Sequence, residues 1–244
     1  MHSSRTHRIF AFGLVAILLS SFSGCTRTEE RKKQYDAAPH YYAIYDIALV
    51  EVDRSAQAKK LYGDMILSKS QASDGFSHVA EDQLVKVVWL PPDRELSFEV
   101  LNKTGSSLKI PWDESAYVDI TGQTHRLLHS GVKFADRKLP QPPSILPSQG
   151  RLADFVYPSD LILPGSHGGW AQPLMFPCVK PRYVCKNDQR QLASAHKGLS
   201  YRVLLPLQVG TKIYTYTFTF KVNNVEIFSD KEEDTIKKAP QVTP

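Results

Sequence analysis

Apolar and polar positions alternate with a period of two along most of the chain. The clearest case sets Tyr214, Tyr216, Phe218, Phe220 and Val222 on one face against Thr215, Thr217, Thr219 and Lys221 on the other. Successive side chains of an extended strand point to opposite faces, and β-branched and aromatic residues suit a pleated surface, so this run predicts a strand. Leu96, Phe98 and Val100 alternate with Ser97 and Glu99 in the same way, and the run stops at Asn102-Lys103-Thr104-Gly105, a turn sequence. Tyr41–Asp53 is a further strand, with Ile47, Leu49 and less cleanly Tyr45 on one face. Leu84–Leu90, Leu108–Trp112, Ala116–Ile120, His125–His129, Arg151–Tyr157 and Tyr201–Leu207 bring the set to about nine. Helical spacing is weak and confined to Ser55–Tyr62 and Asn187–His196. Many short strands separated by turn signals predict an all-β protein built as an antiparallel β-sandwich, with a barrel as the alternative.

The pattern breaks in three places. Residues 139–181 hold nine of the chain's 16 prolines. Proline donates nothing to a sheet ladder, so this region is expected to be edge, loop or extended segment, and a long proline-rich loop region is the expected place for a specific surface. From Ser229 to Pro244 large apolar residues are almost absent, which reads as a disordered tail. At the other end Ile9–Phe22 is almost wholly apolar, behind a start that holds Arg5 and Arg8 and no acid. Fourteen residues are too few for a membrane span, which needs about 20, but suit the apolar core of a signal peptide.

That run ends in Phe22-Ser23-Gly24-Cys25. The stretch resembles the lipobox of bacterial lipoproteins, with Phe22 where leucine is commonest. The resemblance implies that residues 1–24 are removed, that Cys25 carries the lipid, and that Thr26, in place of aspartate, sends the protein to the outer membrane, facing the periplasm. Each buried acyl methylene contributes about 0.8 kcal/mol, so two or three chains hold durably where one does not. Residues 25–40 are polar and read as a flexible tether whose Arg27, Arg31, Lys32 and Lys33 lie beside the lipid. The folded domain is then 41–228, and the tail 229–244. Beyond the signal peptide, basic and acidic residues nearly balance, which argues against a nucleic-acid partner.

Of three cysteines, Cys25 is assigned to the lipid, leaving Cys178 and Cys185. An even pair in an oxidising compartment reads as a disulfide closing a loop of about eight residues, a stabilisation of roughly 2.5 kcal/mol. The rival reading, a metal pair, lacks a second Cys or His pair nearby.

Residues 98–131, FEVLNKTGSSLKIPWDESAYVDITGQTHRLLHSG, are similar to a pattern in bacterial envelope lipoproteins. There, a strand ends in Asn-Lys-Thr, the next carries a Trp-Asp pair, and a third ends in Asp-x-x-Gly before a strand with His and Arg. The resemblance implies an immunoglobulin-like sandwich and no activity. Antibody-type Cys–Trp–Cys spacing is missing. Read by itself, Asn102 starts a turn by bonding nearby backbone, Trp112 plugs the core or offers a binding platform, and Asp113 caps the following turn.

Candidate chemistry is sparse. His125 and His129, four apart, share a strand face, but no Glu follows His125 as H-E-x-x-H requires, and a third metal ligand is not evident. Gly165-Ser166-His167-Gly168-Gly169-Trp170 lacks the G-x-S-x-G elbow that an esterase oxyanion loop would accompany. It reads as a glycine-rich loop ending in an aromatic anchor, with Trp170 a possible partner contact. Asp93, Glu95, Glu99, Asp113, Glu114 and Asp119 include no marked pair for glycoside chemistry. No cofactor and no metal are expected. The sequence predicts a lipid-anchored, non-catalytic envelope protein that binds a protein partner. The alternatives are an envelope hydrolase, marked by a deep pocket with clustered acids or histidines, and a small-ligand module, marked by a hollow interior.

Overall fold

The computed structural model describes residues 41–72, 75–90, 95–172, 175–178 and 187–229. Among these the chain is mostly antiparallel β. The strands are β1 (Tyr41–Arg54), β2 (Ile66–Ala72), β3 (Gly75–Glu81), β4 (Val85–Trp89), β5 (Leu96–Asn102), β6 (Leu108–Ile110), β7 (Ala116–Val118), β8 (Thr124–His129), β9 (Ser144–Leu146), β10 (Arg151–Pro158), β11 (Leu163–Pro164), β12 (Trp170–Ala171), β13 (Ser200–Val209) and β14 (Lys212–Ser229). Two short helices, α1 (Ala56–Tyr62) and α2 (Asn187–Ala195), fall at the two weakly helical segments.

One continuous path of hydrogen-bonded strands runs β1-β14-β13-β7-β8-β10-β5-β4-β3-β2, with β6 and β9 branching from β13. The expected sandwich of two separate sheets is thus, at the level of pairing, a single nearly closed sheet. Its limbs face each other across one core. Trp89 of β4 lies 5.2 Å from Phe218 and 5.4 Å from Phe220 of β14, centroid to centroid, and Tyr201 of β13 stacks on Phe220 at 5.0 Å. Each such aromatic pair adds about 0.5–1.5 kcal/mol beyond its area burial. Trp89, Phe98, Trp112 and Phe218 fill the interior and are buried almost completely.

The alternation read from β14 holds: Tyr214, Tyr216, Phe218, Phe220 and Val222 are all buried. In β1 the alternation fails because register shifts at Asp46/Ile47 and Leu49/Glu51 turn the strand, so Ile47, Ala48 and Leu49 are buried in succession. β2 and β3 were not expected. Ile66–Ser70 is an exposed edge, so neither face had to carry an apolar stripe. The proline-rich stretch 139–181 is not one loop: it contains β9, β10, β11 and β12, and β10 is a central strand between β5 and β8. Pro158 is tolerated as its last residue.

Side chains complete the sheet where backbone pairing stops. His78 of β3 reaches the edge of β1: its Nε2 donates to the Ile47 carbonyl at 2.8 Å, and its Nδ1 accepts from the Leu49 N–H at 3.5 Å. Further along that edge the Ala43 N–H donates to the Cys178 carbonyl at 2.7 Å. Nearby, the buried ion pair of Arg54 and Asp82, at 2.5 Å, joins β1 to the turn before β4. Asp82 also accepts from the Tyr216 hydroxyl and from the N–H groups of Leu84 and Val85. Asn102 is wholly buried at its turn. Its amide donates to the carbonyls of Ser106, Leu146 and Pro147, and its Oδ1 accepts from Thr104, so the expected turn-forming role holds.

Candidate functional site

Trp112 is fully buried, as a core plug, and its Nε1 donates to the Ser144 hydroxyl at 2.9 Å. One face of its indole is covered by the His129 ring, stacked at 4.5 Å and 11°. His129 Nδ1 lies 3.3 Å from Asp154 Oδ2, a side chain only 3 % exposed. The other Asp154 oxygen accepts from the Ser130 and Phe155 N–H groups. Burial opposes ionisation of Asp154, yet the hydrogen bonds from His129 and Ser130 outweigh it and hold the carboxyl below its usual range. A carboxylate only accepts, so the His129 Nδ1 donates to it and Nε2 is the ring position left open.

His125, on the same strand, has a different fate. Its Nδ1 lies 2.8 Å from Asp160 and its Nε2 3.1 Å from Asp119. Burial alone would lower its pKa, but the two carboxylates outweigh it and raise it above the ordinary 6.5. Asp119 closes the β7–β8 turn by accepting from Thr121 and Gln123. Burial raises its pKa, but these bonds and the His125 contact pull it down to about 2. The two histidines therefore do not converge on a common ligand. No cluster of three potential metal ligands occurs among the described residues.

The segment following His129 forms a groove of about 440 Å³, lined by His129, Ser130, Lys133, Asp136, Leu139 and Pro140 among others. Gly131 turns the chain at φ +83°, a backbone conformation that side chains with a Cβ rarely adopt. The far limb of this loop is pinned. Arg126 donates to the Arg137 and Leu139 carbonyls and to Asp113. Asp113 in turn accepts from the Gln141 N–H, so it ties down this loop rather than capping its own turn. Gln141, buried, donates to the Leu127 carbonyl at 2.8 Å and accepts from the His129 N–H at 3.3 Å. β7 pairs with β8 only up to Arg126, and Gln141 takes its place from there.

Behind the groove Leu128, Tyr157 and Ile162 form a satellite core against which Val132, Phe134 and Met175 pack. Ile162 introduces the β11–β12 hairpin, which pairs only with itself, Leu163 opposite Ala171 and Pro164 opposite Trp170. While Ile162 points in, Leu161 and Leu163 are 42 % and 56 % exposed. Gln172, after the hairpin, donates to Glu95 at 2.7 Å. The glycine-rich sequence before Trp170 forms a tight turn in which Gly165 and Gly169 are bonded backbone to backbone.

Of the other expected site residues, Cys178 is buried beside Ala43 and Ala193, with a left-handed φ of 66°. Cys25 and Cys185 lie outside the described residues. Sequence reasoning missed Asp154, Gln141, Lys133 and Asp136. Asp154 is 25 residues from His129, and only pairing of β8 with β10 brings them together. The one local signal was Gln141 itself, a lone polar residue between Pro140 and Pro142. Compared with known protein families, with curated proteins and with solved structures, the chain matches none.

Proposed function

We propose that the chain is a lipid-anchored protein of the bacterial envelope whose folded domain is a non-catalytic binding or accessory module, holding a protein partner near the membrane. The observation that carries the binding role is the β11–β12 hairpin. It stands apart from the main sheet, is tethered at its base by Ile162 and Gln172, and leaves Leu161 and Leu163 exposed beside the Trp170 strand. Apolar side chains displayed on a tethered hairpin suit a contact surface. The lipid on Cys25, the location at the outer membrane facing the periplasm, the disulfide between Cys178 and Cys185 and the immunoglobulin-like character of the sandwich belong to this proposal. They are supported by the Phe22–Cys25 sequence, by Thr26, by the even cysteine pair and by the block 98–131.

Photoreactive residues at Leu163 and Trp170 in intact cells test the reading. One dominant protein adduct, lost when Cys25→Ser removes the anchor, is the expected result. No adduct from an abundant, folded protein, or undiminished membrane attachment of Cys25→Ser, would overturn it.

A further inference from the structure

We infer that the groove at the end of β8 binds a small zwitterion, a short free peptide or amino acid, with its carboxylate on Lys133 and its ammonium on Asp136. This rests on the reading of the domain as a binding module, but on a surface distinct from the hairpin. Lys133 and Asp136 are opposite charges three residues apart that line one groove. Their backbones are joined across a single 3₁₀ turn, Asp136 N–H to Lys133 carbonyl at 3.0 Å. Yet their side chains form no ion pair with each other, and neither has a hydrogen-bond partner among the described residues. Such a groove presents both signs of charge at once. An anion would meet Asp136, a cation would meet Lys133, and a neutral sugar would leave both unanswered. A molecule carrying one charge of each sign satisfies both.

The remaining lining agrees. His129 Nε2 has no partner among the described residues and is available to a peptide group. Leu139, Pro140 and Pro142 supply an apolar wall for a side chain. A volume of about 440 Å³ lies within the usual range for small-molecule sites. The walls are already fixed by Arg126, Asp113 and Gln141, and the His129 ring by Trp112 and Asp154, so binding has little left to order.

The test is calorimetric titration of the full chain, in detergent micelles, with the dipeptide Ala-Leu, its N-acetyl form, its C-terminal amide and free leucine. We expect saturable one-to-one binding of a zwitterionic form, weakened at least tenfold by either cap. Lys133→Ala should abolish the discrimination against the amide, and Asp136→Ala the discrimination against the acetylated form. Both positions are exposed, so the variants should keep the wild-type near-ultraviolet circular dichroism. Absence of saturable binding, or equal binding of capped and free forms, would overturn the inference. A hairpin adduct in cells with no peptide binding leaves the partner reading standing and removes this one, while the converse result removes only the partner reading.

Discussion

Two edges of this sheet are finished by a single side chain, and the two chains chosen are chemically different. At β1, His78 bonds the carbonyl of Ile47 and the N–H of Leu49; at β8, Gln141 bonds the carbonyl of Leu127 and the N–H of His129. In each case one planar group, donor on one side and acceptor on the other, serves two backbone groups that flank one residue, as a neighbouring strand would. Buried backbone groups must be paired, so each side chain substitutes for a strand that the topology does not provide. The difference lies in titration. The amide has one form at every pH. The imidazole does the job only when neutral, because its Nδ1 must accept. Burial lowers the His78 pKa below the ordinary 6.5, and Lys69 on the paired strand adds to the effect. The Ile47 carbonyl and Asp46 partly offset it. Phe220 packs edge-on to the ring, 6.4 Å away.

The largest expected effect comes from removing the imidazole. His78→Ala leaves two buried backbone groups without partners, at about 1–3 kcal/mol each, and opens a cavity, so urea unfolding should show a loss of about 2–5 kcal/mol. His78→Gln transplants the solution used at β8 and should recover most of that loss. If Gln is as damaging as Ala, the substitution of side chain for strand is not what stabilises β1.

Gln141→Ala should cost less, about 1–3 kcal/mol, because the adjoining groove admits water to the Leu127 and His129 groups. Its signature is local: hydrogen exchange should speed up at the His129 amide and not at the Leu49 amide. Equal acceleration at both amides would mean that the two edges open together.

The smallest effect is the pH dependence, where His78 is opposed by His125. A histidine with a lowered folded pKa binds fewer protons folded than unfolded, so His78 makes stability fall as pH drops below about 6.5. His125, with a raised folded pKa, contributes stability that is complete below about 6.5 and is lost as pH rises through its folded value. Neither limb can exceed about 1.4 kcal/mol per pH unit, the slope for one proton, and the exposure of Asp160 weakens the His125 limb. Thermal unfolding against pH should therefore lose the part of its acid limb that begins near pH 6.5 in His78→Gln, with the further fall at lower pH from Asp119 and Asp154 retained, and its alkaline limb in His125→Gln. An unchanged acid limb in His78→Gln would place that sensitivity elsewhere.

Alternation and turn residues, taken from the sequence alone, located nine strands and both described helices, and they identified the buried face of β14, because strand geometry and local turn chemistry are written within a few residues. Trp112 as core and Asn102 as turn former were legible for the same reason. The antiparallel β class was legible, but that the strands join into one nearly closed sheet was not, because whether two sheets join depends on contacts such as β8 with β10 that no local pattern encodes. β2 escaped notice because an exposed edge has no apolar stripe to read, and β3 because it buries the polar Ser77 and His78 in succession with Val79 and Ala80, which leaves no alternation. The two histidines looked alike at a spacing of four; only the fold gave His125 two carboxylates and His129 one, with an indole at its back. The groove was decided last of all. Its charges are close in sequence, but that they stay unpaired, and that Arg126, Asp113 and Gln141 hold their loop open, follows from hydrogen bonds spanning 11 to 28 residues of chain.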